Sequence, residues 1–373
     1  NMQSFIDLLV DNKLNISGLI THSFDLTSAI EAYDLIVEKN EPIVGAVIEY
    51  DVERKIEKQV VLYKKEVKNQ SSLNIGLIGA GNFAQNAVLP RLKGKVNFLG
   101  IATIESKMSR NIADKYSFQY CTDSTESLFR DENIGTVFIL TRHDTHAYFI
   151  TQALEAGKNV YVEKPLSHNP LEGELAVKAA EKYNRVVQIG TQRRSWPVLT
   201  QGIQELKEGV IGKVYMAKAW YANTRGPIGI GKQVPVPQNL DYELWQGPAP
   251  RKPYKDNLIH YNWHWFWDTG NGDTGNQGPH QFDIARWGLN KNEHPVSVFS
   301  VGGLFGIDPS ECAQETPNPP TSLFSYSDGK ILEFETRGRY TNDEASLGIR
   351  IGNIFYGTEG YLELDGSTWK AFR

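Results

Sequence analysis

Two cysteines are all that the 373 residues contain: Cys121 and Cys312, far apart and without a metal-ligand spacing. That gives neither a disulfide framework nor a thiolate metal pattern, and it fits a reducing, cytoplasmic compartment. No apolar run reaches the ~18 residues of a membrane-spanning helix, so none is expected. Neither sign of charge dominates, because 39 basic and 44 acidic residues are spread along the chain for a net charge of −5. An electrostatic footprint for nucleic acid or an anionic membrane is therefore absent. The N-terminus lacks a basic region, an apolar core and a small-residue cleavage site, so no secretory signal is expected. Asn1 ahead of Met2 reads as a tag remnant or a trimmed end.

What is present is globular in proportion. Apolar residues make up 40% and charged residues 22%, which excludes wholesale disorder, and the length predicts two or three domains. No internal repeat is found.

Four stretches follow one another. Residues 1–58 read as a small α/β module. Phe5, Leu8 and Leu9 recur at helical spacing, and Asp25 or Thr27 would cap a second helix carrying Ile30, Tyr33, Leu35 and Ile36. Ile43 to Tyr50 reads as a strand. A module this small is marginal alone. Residues 59–72 close a run of mixed charge that starts at Asp51 and reads as an exposed strand or connector. Residues 73–193 alternate short apolar strands (from Leu73, Asn97, Thr136, Val160 and Val186) with helices, which predicts a doubly wound parallel Rossmann sheet. Over residues 194–373 the alternation stops. Six strand-like runs, from Val214 to Leu364, predict an α+β domain on an open, largely antiparallel sheet.

Gly79-Ala80-Gly81-Asn82-Phe83-Ala84 follows the first of these strands and opens a helix, the context that gives G-x-G-x-x-A meaning as a dinucleotide fingerprint. Gly79 permits the turn, Gly81 lets the backbone approach a pyrophosphate, and Ala84 allows close helix–strand packing. The second strand should end in an acid for the ribose of NAD. Thr103 stands there, Glu105 is the nearest acid, and Lys107 and Arg110 follow, so NAD and NADP both remain open. Thr141 to His146 follows the third strand, either as a polar helix cap or beside the cofactor. Glu163-Lys164-Pro165 ends the fourth, where Pro165, in a cis bond if it forms one, would aim Lys164 into the crevice.

At this point the chain resembles the glucose-fructose oxidoreductase/inositol dehydrogenase (Gfo/Idh/MocA) family. The resemblance runs from about Leu73 to the C-terminus. It rests on the fingerprint, on Ala156-Gly157-Lys158-Asn159-Val160 leading into Glu163-Lys164-Pro165, and on Gly270 to Asp283 followed by Ile284-Ala285-Arg286-Trp287. It implies NAD(P)-dependent oxidation or reduction of a hydroxyl on a sugar, inositol or related polyol, and subunit contacts through the C-terminal sheet. The family usually reads Asp-x-x-x-His with His as acid/base. Here His280 matches but Asn276 stands in the Asp position, and an amide cannot take a proton, which argues against a two-residue relay. Leu19 to Leu26 and Ala32-Tyr33 resemble the C-terminal tail of medium-chain, zinc-type alcohol dehydrogenases. No zinc-ligand set accompanies them, so that activity is not implied.

An ordinary His titrates near ~6.5 and an ordinary Lys near ~10.4, which makes His280 the expected base and Lys164 the residue that polarises the hydroxyl. The expected cofactor contacts are the fingerprint residues with Thr103, Thr141, His146, Glu163 and Lys164. The expected substrate contacts are Arg193, Arg194, Trp263, His264, Asn276 and Asp283. Trp263-His264-Trp265-Phe266-Trp267 reads equally as a core strand or as a platform for a sugar face. The expected function is an NAD(P)-dependent, homo-oligomeric oxidoreductase acting on a sugar or sugar derivative; the alternatives are a redox-neutral NAD-dependent glycosidase and a non-catalytic sugar-sensing protein of the same fold.

Overall fold

The computed structural model describes residues 2–51, 59–63, 73–103, 106–259, 261–338 and 350–373. It divides into two compact units, Asn1–Lys58 and Gln59–Arg373. Most of the charged connector, and Glu105 with it, lies outside the described residues.

The first unit runs α1 (Met2–Val10), β1 (His22–Asp25), α2 (Ala29–Glu38) and β2 (Ala46–Glu49), with β1 and β2 parallel. β1 was not anticipated from its sequence, being four residues with polar His22 and Ser23. The helix starts after Ser28 rather than at a cap on Asp25 or Thr27, because a single 3-10 turn, Leu26–Ser28, intervenes. Among its described residues only Ala32 is buried, in keeping with so small a module.

The second unit begins with β3 (Gln59–Val61), which pairs antiparallel at the edge of a sheet. Its other strands are β4 (Asn74–Ile78), β5 (Asn97–Ala102), β6 (Tyr120–Thr122), β7 (Thr136–Ile139), β8 (Asn159–Val162) and β9 (Val187–Ile189), all parallel, in the order β3-β6-β5-β4-β7-β8-β9. Between them run α3 (Leu89–Leu92), α4 (Ser106–Tyr116), α5 (Thr125–Arg130), α6 (His143–Glu155) and α7 (Pro170–Tyr183). β4 follows the glycine loop's own logic: chain order runs outward from it on one side to β5 and on the other to β7, so a crevice opens at its carboxyl end. Ile78, Ile139 and Val162 are register partners in sequence across β4, β7 and β8. The loops beginning at Gly79, Leu140 and Glu163 therefore emerge side by side.

Next come α8 (Pro197–Lys207), β10 (Val214–Ala222), α9 (Tyr242–Gln246), α10 (Gly272–Asn276) and α11 (Gly278–Gly288). Strands β11 (Ser297–Val301), β12 (Thr321–Ser325), β13 (Ile331–Arg337), β14 (Ile351–Gly357), β15 (Gly360–Leu364) and β16 (Trp369–Phe372) complete a second sheet in the order β11-β12-β13-β10-β14-β15-β16. Only the β10–β13 pair is parallel. α8 and α11 cover one face, burying Leu199, Ile203, Ile284 and Leu289 against Ala217, Phe334 and Phe355. Each such side chain contributes roughly 1.5–3 kcal/mol on burial. α11 is thereby fixed, and with it His280 near its first turn.

Candidate active site

Gly79 has φ +84, and a Cβ there would stand 2.7 Å from the Leu140 carbonyl oxygen. Only glycine fits. A Cβ on Gly81 would meet no atom within 4 Å, so the backbone at that point faces open space. Ala84 is buried, while Asn82 and Phe83 are exposed, and Phe83 lines the cleft. A turn closed by glycine beside an open cradle at a helix start is the arrangement that accepts a pyrophosphate.

The cleft, 660 Å³ in volume, is lined on the sheet side by Thr141, Glu163, Lys164 and Pro165, and on the other by Trp263, His264, Asp268 and Asn276. The Lys164–Pro165 peptide bond is cis. Half-buried Lys164 donates from Nζ to the backbone oxygen of Asn276 at 2.9 Å, so its fixed partner is a carbonyl and no side-chain carboxylate stands at that position. Burial pushes the Lys164 amine down from its ordinary value, against the opposing pull of Glu163. Glu163 accepts from the Tyr161 hydroxyl at 2.7 Å and from the Lys164 amide at 3.2 Å.

His280 is 7% exposed. Among the described residues no side chain bonds its ring. Burial first, then the charges of Lys164 and Arg193, push it down to about 4. Its imidazole is therefore neutral at pH 7, further below that pH than an ordinary histidine would be.

Several expected contacts turn out differently. His146 is fully buried, with Nδ1 2.7 Å from the Pro165 oxygen and Nε2 3.2 Å from the Thr141 oxygen. Both neighbours are carbonyl oxygens, so a neutral ring, with one N–H, donates to one of them while standing between the two cleft loops. Arg194 and Asp283 form a two-pronged ion pair, at 2.7 Å for the shortest contact, with Arg194 also over the Trp287 ring. Each neutralises the other and together they pin the Gln192–Ser195 turn to α11; neither is among the residues lining the cleft. Residues 262–265 form a single 3-10 turn, not a strand. Trp265, 3% exposed, joins the core, whereas Trp263 and Trp267 line the cleft. His264, 2% exposed and part of the cleft wall, donates from Nδ1 to the Tyr261 carbonyl at 2.6 Å, which leaves its buried Nε2 an acceptor with no partner. Arg193 packs on Trp196 and reaches His280 through its charge. Thr103 is buried at the end of β5.

Three further features support or shape the cleft. Arg142 donates from both terminal nitrogens to the carbonyls of Leu244 and Trp245, capping α9 as a cation at a helix C-terminus does. Buried Asp273 pairs with Arg225 at 3.2 Å, and Arg225 also donates to the Tyr221 and Tyr261 hydroxyls. His143 is pushed down to about 4 by burial and by its neighbours His146 and Lys164. The Arg142 and Asp273 contacts join segments distant in sequence, so no local pattern announces them, whereas His143 stands within the Thr141–His146 segment. Among the described residues no group of three His, Cys, Asp or Glu could hold a metal ion, and no helix is long and apolar enough to cross a membrane.

Residues 73–191 match the profile of an oxidoreductase family with an NAD-binding Rossmann fold, and residues 210–303 match the C-terminal alpha/beta domain of the same family. Oxidoreductase P35 of Formosa agariphila is 30% identical over 165 residues, 44% of this chain and 51% of that protein. Levoglucosan dehydrogenase of Pseudarthrobacter phenanthrenivorans is 26% identical over 171 residues, 42% of this chain and 44% of that protein. The chain thus spans about half the length of the curated relatives it matches. In fold it is similar to the crystal structure of aldose-aldose oxidoreductase from Caulobacter crescentus complexed with glycerol, with a TM-score of 0.60 at 17% identity over 81% of each chain. Together the two family matches cover more than half of the sequence: the chain belongs to the Gfo/Idh/MocA oxidoreductases and carries their NAD-binding Rossmann domain.

Proposed function

We propose that this chain transfers a hydride between a nicotinamide cofactor and a hydroxyl-bearing carbon of a sugar or sugar derivative, with His280 as the proton acceptor and Lys164 orienting the hydroxyl. The observation that carries this reading is the Lys164 ammonium on the wall of a cleft that opens beside the glycine loop, with Pro279 on the same wall and its helix neighbour His280 held neutral by burial and by the Lys164 charge. When bound, the nicotinamide supplies or accepts the hydride. Asn276 holds the Lys164 ammonium by one bond, which leaves two N–H groups for a substrate hydroxyl. Negative charge growing on that oxygen is stabilised by the fixed cation in a half-buried site. His280, already neutral, takes the proton without first losing one, and the same cation favours its onward release to solvent. His264 Nε2, buried without a partner, supports a further bond to a ring hydroxyl.

The expectation is that one or more sugars drive NAD or NADP reduction, followed by absorbance. His280→Ala should lower turnover by about 10²–10⁴ while cofactor affinity stays nearly intact. Unchanged turnover would overturn the assignment. The choice of NAD or NADP rests with residues that follow Thr103.

Three finer readings belong with this proposal. The parallel β1–β2 pair around α2 supports likeness of residues 1–58 to a medium-chain dehydrogenase tail. Exposed Val298, Phe299 and Val301 on β11 support homo-oligomer contacts through the second sheet. Two buried, free cysteines support a reducing, cytoplasmic setting.

A further inference from the structure

The cleft does not end at the reacting groups. It continues into a second compartment of 420 Å³, and the two share Thr141, His143, His168, Trp263, Asp268 and Thr269 as a common wall. None of the glycine-loop residues, nor Lys164, Asn276 or Pro279, lines this second space. It therefore adjoins the cleft through that common wall and lies apart from Phe83, Lys164 and Asn276. Its far wall is Trp245, Gln246, Pro248 and Ala249.

The chemistry of that wall is selective. Half-buried Trp245 and Trp263 present ring surface, with Trp245 stacked on Tyr242 at 5.8 Å and Trp263 edge-on to His143 at 5.8 Å. The cations nearby are committed. Arg142 donates to the Leu244 and Trp245 carbonyls and stands 3.7 Å from Asp144, and Lys252 is bound to Asp268. A phosphate or carboxylate entering here would meet two carboxylates and a guanidinium already coordinated. Hydroxyl groups, by contrast, can donate to Asp144, Asp268 and Thr269, while C–H faces lie on indole.

Resting on the sugar oxidoreductase reading above, we infer that the substrate carries a second, uncharged carbohydrate ring. The chain acts on a neutral disaccharide or glycoside, with the reacting ring at Lys164 and His280 and the second ring between Trp245 and Trp263. This compartment explains why the C-terminal domain places Trp245 and Trp263 across an open space when the core already holds Trp265.

The test compares specificity constants of the full chain with bound NAD for glucose, galactose and mannose against cellobiose, lactose and maltose, with glucose 6-phosphate and UDP-glucose alongside. At least one neutral disaccharide should exceed its parent monosaccharide about 10-fold, and Trp245→Ala should remove most of that ratio, as loss of one aromatic contact of this kind allows. Should Trp245→Ala fail to fold, saturation-transfer NMR on the unaltered protein with the preferred disaccharide reads the same point: contacts are expected on both rings. Monosaccharides turned over as well as every disaccharide, contacts confined to one ring, or preference for a charged sugar would each overturn the inference and leave the oxidoreductase reading standing. No turnover or binding of any sugar would overturn both.

Discussion

The two walls of the cleft are held in place by different means. On the Rossmann side, Gly79, Thr141 and Lys164 come off the ends of neighbouring parallel strands whose registers are level, so a main-chain ladder sets their positions. On the C-terminal side, Trp263, His264, Asp268 and Asn276 sit on short turns and on a five-residue helix. There side chains fix the backbone: Thr269 Oγ1 donates to the Trp263 carbonyl at 2.5 Å, Glu315 accepts from the Trp267 amide at 2.8 Å, and Arg225 holds Asp273. A ladder survives the loss of any one side chain. A wall built on side chains does not, and that difference sets where substitutions should hurt stability and where only chemistry.

The largest effect should come where the walls meet. Lys164→Met and His280→Ala should each cost about 10²–10⁴ in turnover with little change in melting temperature, measured by steady-state kinetics and calorimetry. The pH profile separates their roles. His280 acts as a base only when neutral, so oxidation should fall off on the acid side as pH drops through about 4. Removing the Lys164 charge lifts one of the causes of that depression. In Lys164→Met the residual activity should therefore lose its acid side at higher pH, moving toward the ordinary ~6.5. An acid limb that stays put would detach Lys164 from His280.

The next effect tests the side-chain wall. Asp273 is 3% exposed and answers Arg225, so Asp273→Leu leaves that guanidinium without its charge partner. Breaking a buried pair from one side costs about 3–5 kcal/mol, seen as a fall in the chemical denaturation midpoint. Replacing a side chain on the ladder side, such as Thr141→Ala, should cost far less. Equal losses would erase the contrast between the walls.

The same contrast explains what the sequence disclosed. Strands β4, β5 and β7 are short apolar runs buried on both faces, β8 alternates buried and half-buried positions, and such runs stand out. β6 and α5 do not stand out, being only three and six residues long, whereas β3 falls where the sequence reads as an exposed strand or connector. The glycine loop stands out because its turn, its open backbone and its small residue are local to one motif. Arg194 and Asp283, 89 residues apart, were both read as substrate groups because nothing local shows that they answer each other. The contacts of His146 are equally silent in the sequence, since Thr141 and Pro165 come from two different loops.

The two glycines of the fingerprint separate folding from cofactor binding within the ladder wall. Gly79→Ala places a Cβ 2.7 Å from the Leu140 oxygen at φ +84 and should cost at least about 1–2 kcal/mol of stability. Gly81→Ala places its Cβ where no protein atom lies within 4 Å, so the fold should be unaffected or stabilised by up to about 1 kcal/mol. NAD affinity should nonetheless fall, because the methyl group occupies the space left open for a pyrophosphate. Titration calorimetry alongside thermal denaturation resolves the two, and retention of full NAD affinity by Gly81→Ala would remove the cradle from that position.

The smallest effect concerns Arg194. Its two-pronged bond to Asp283 is well formed, yet 45% of the arginine side chain is exposed, so solvent screens much of the attraction. Arg194→Ala should therefore cost no more than about 1 kcal/mol, part of it from lost packing on Trp287. The consequence for catalysis is the sharper reading. Arg194 stands on the turn next to Arg193, and Arg193 is among the charges that depress His280. If the ion pair serves only to hold that turn, KM for sugar should stay near its original value while the acid limb of turnover drifts slightly upward as Arg193 loosens. A large rise in KM instead would return Arg194 to the substrate, and the C-terminal wall would then have a cation to spare for a charged ligand.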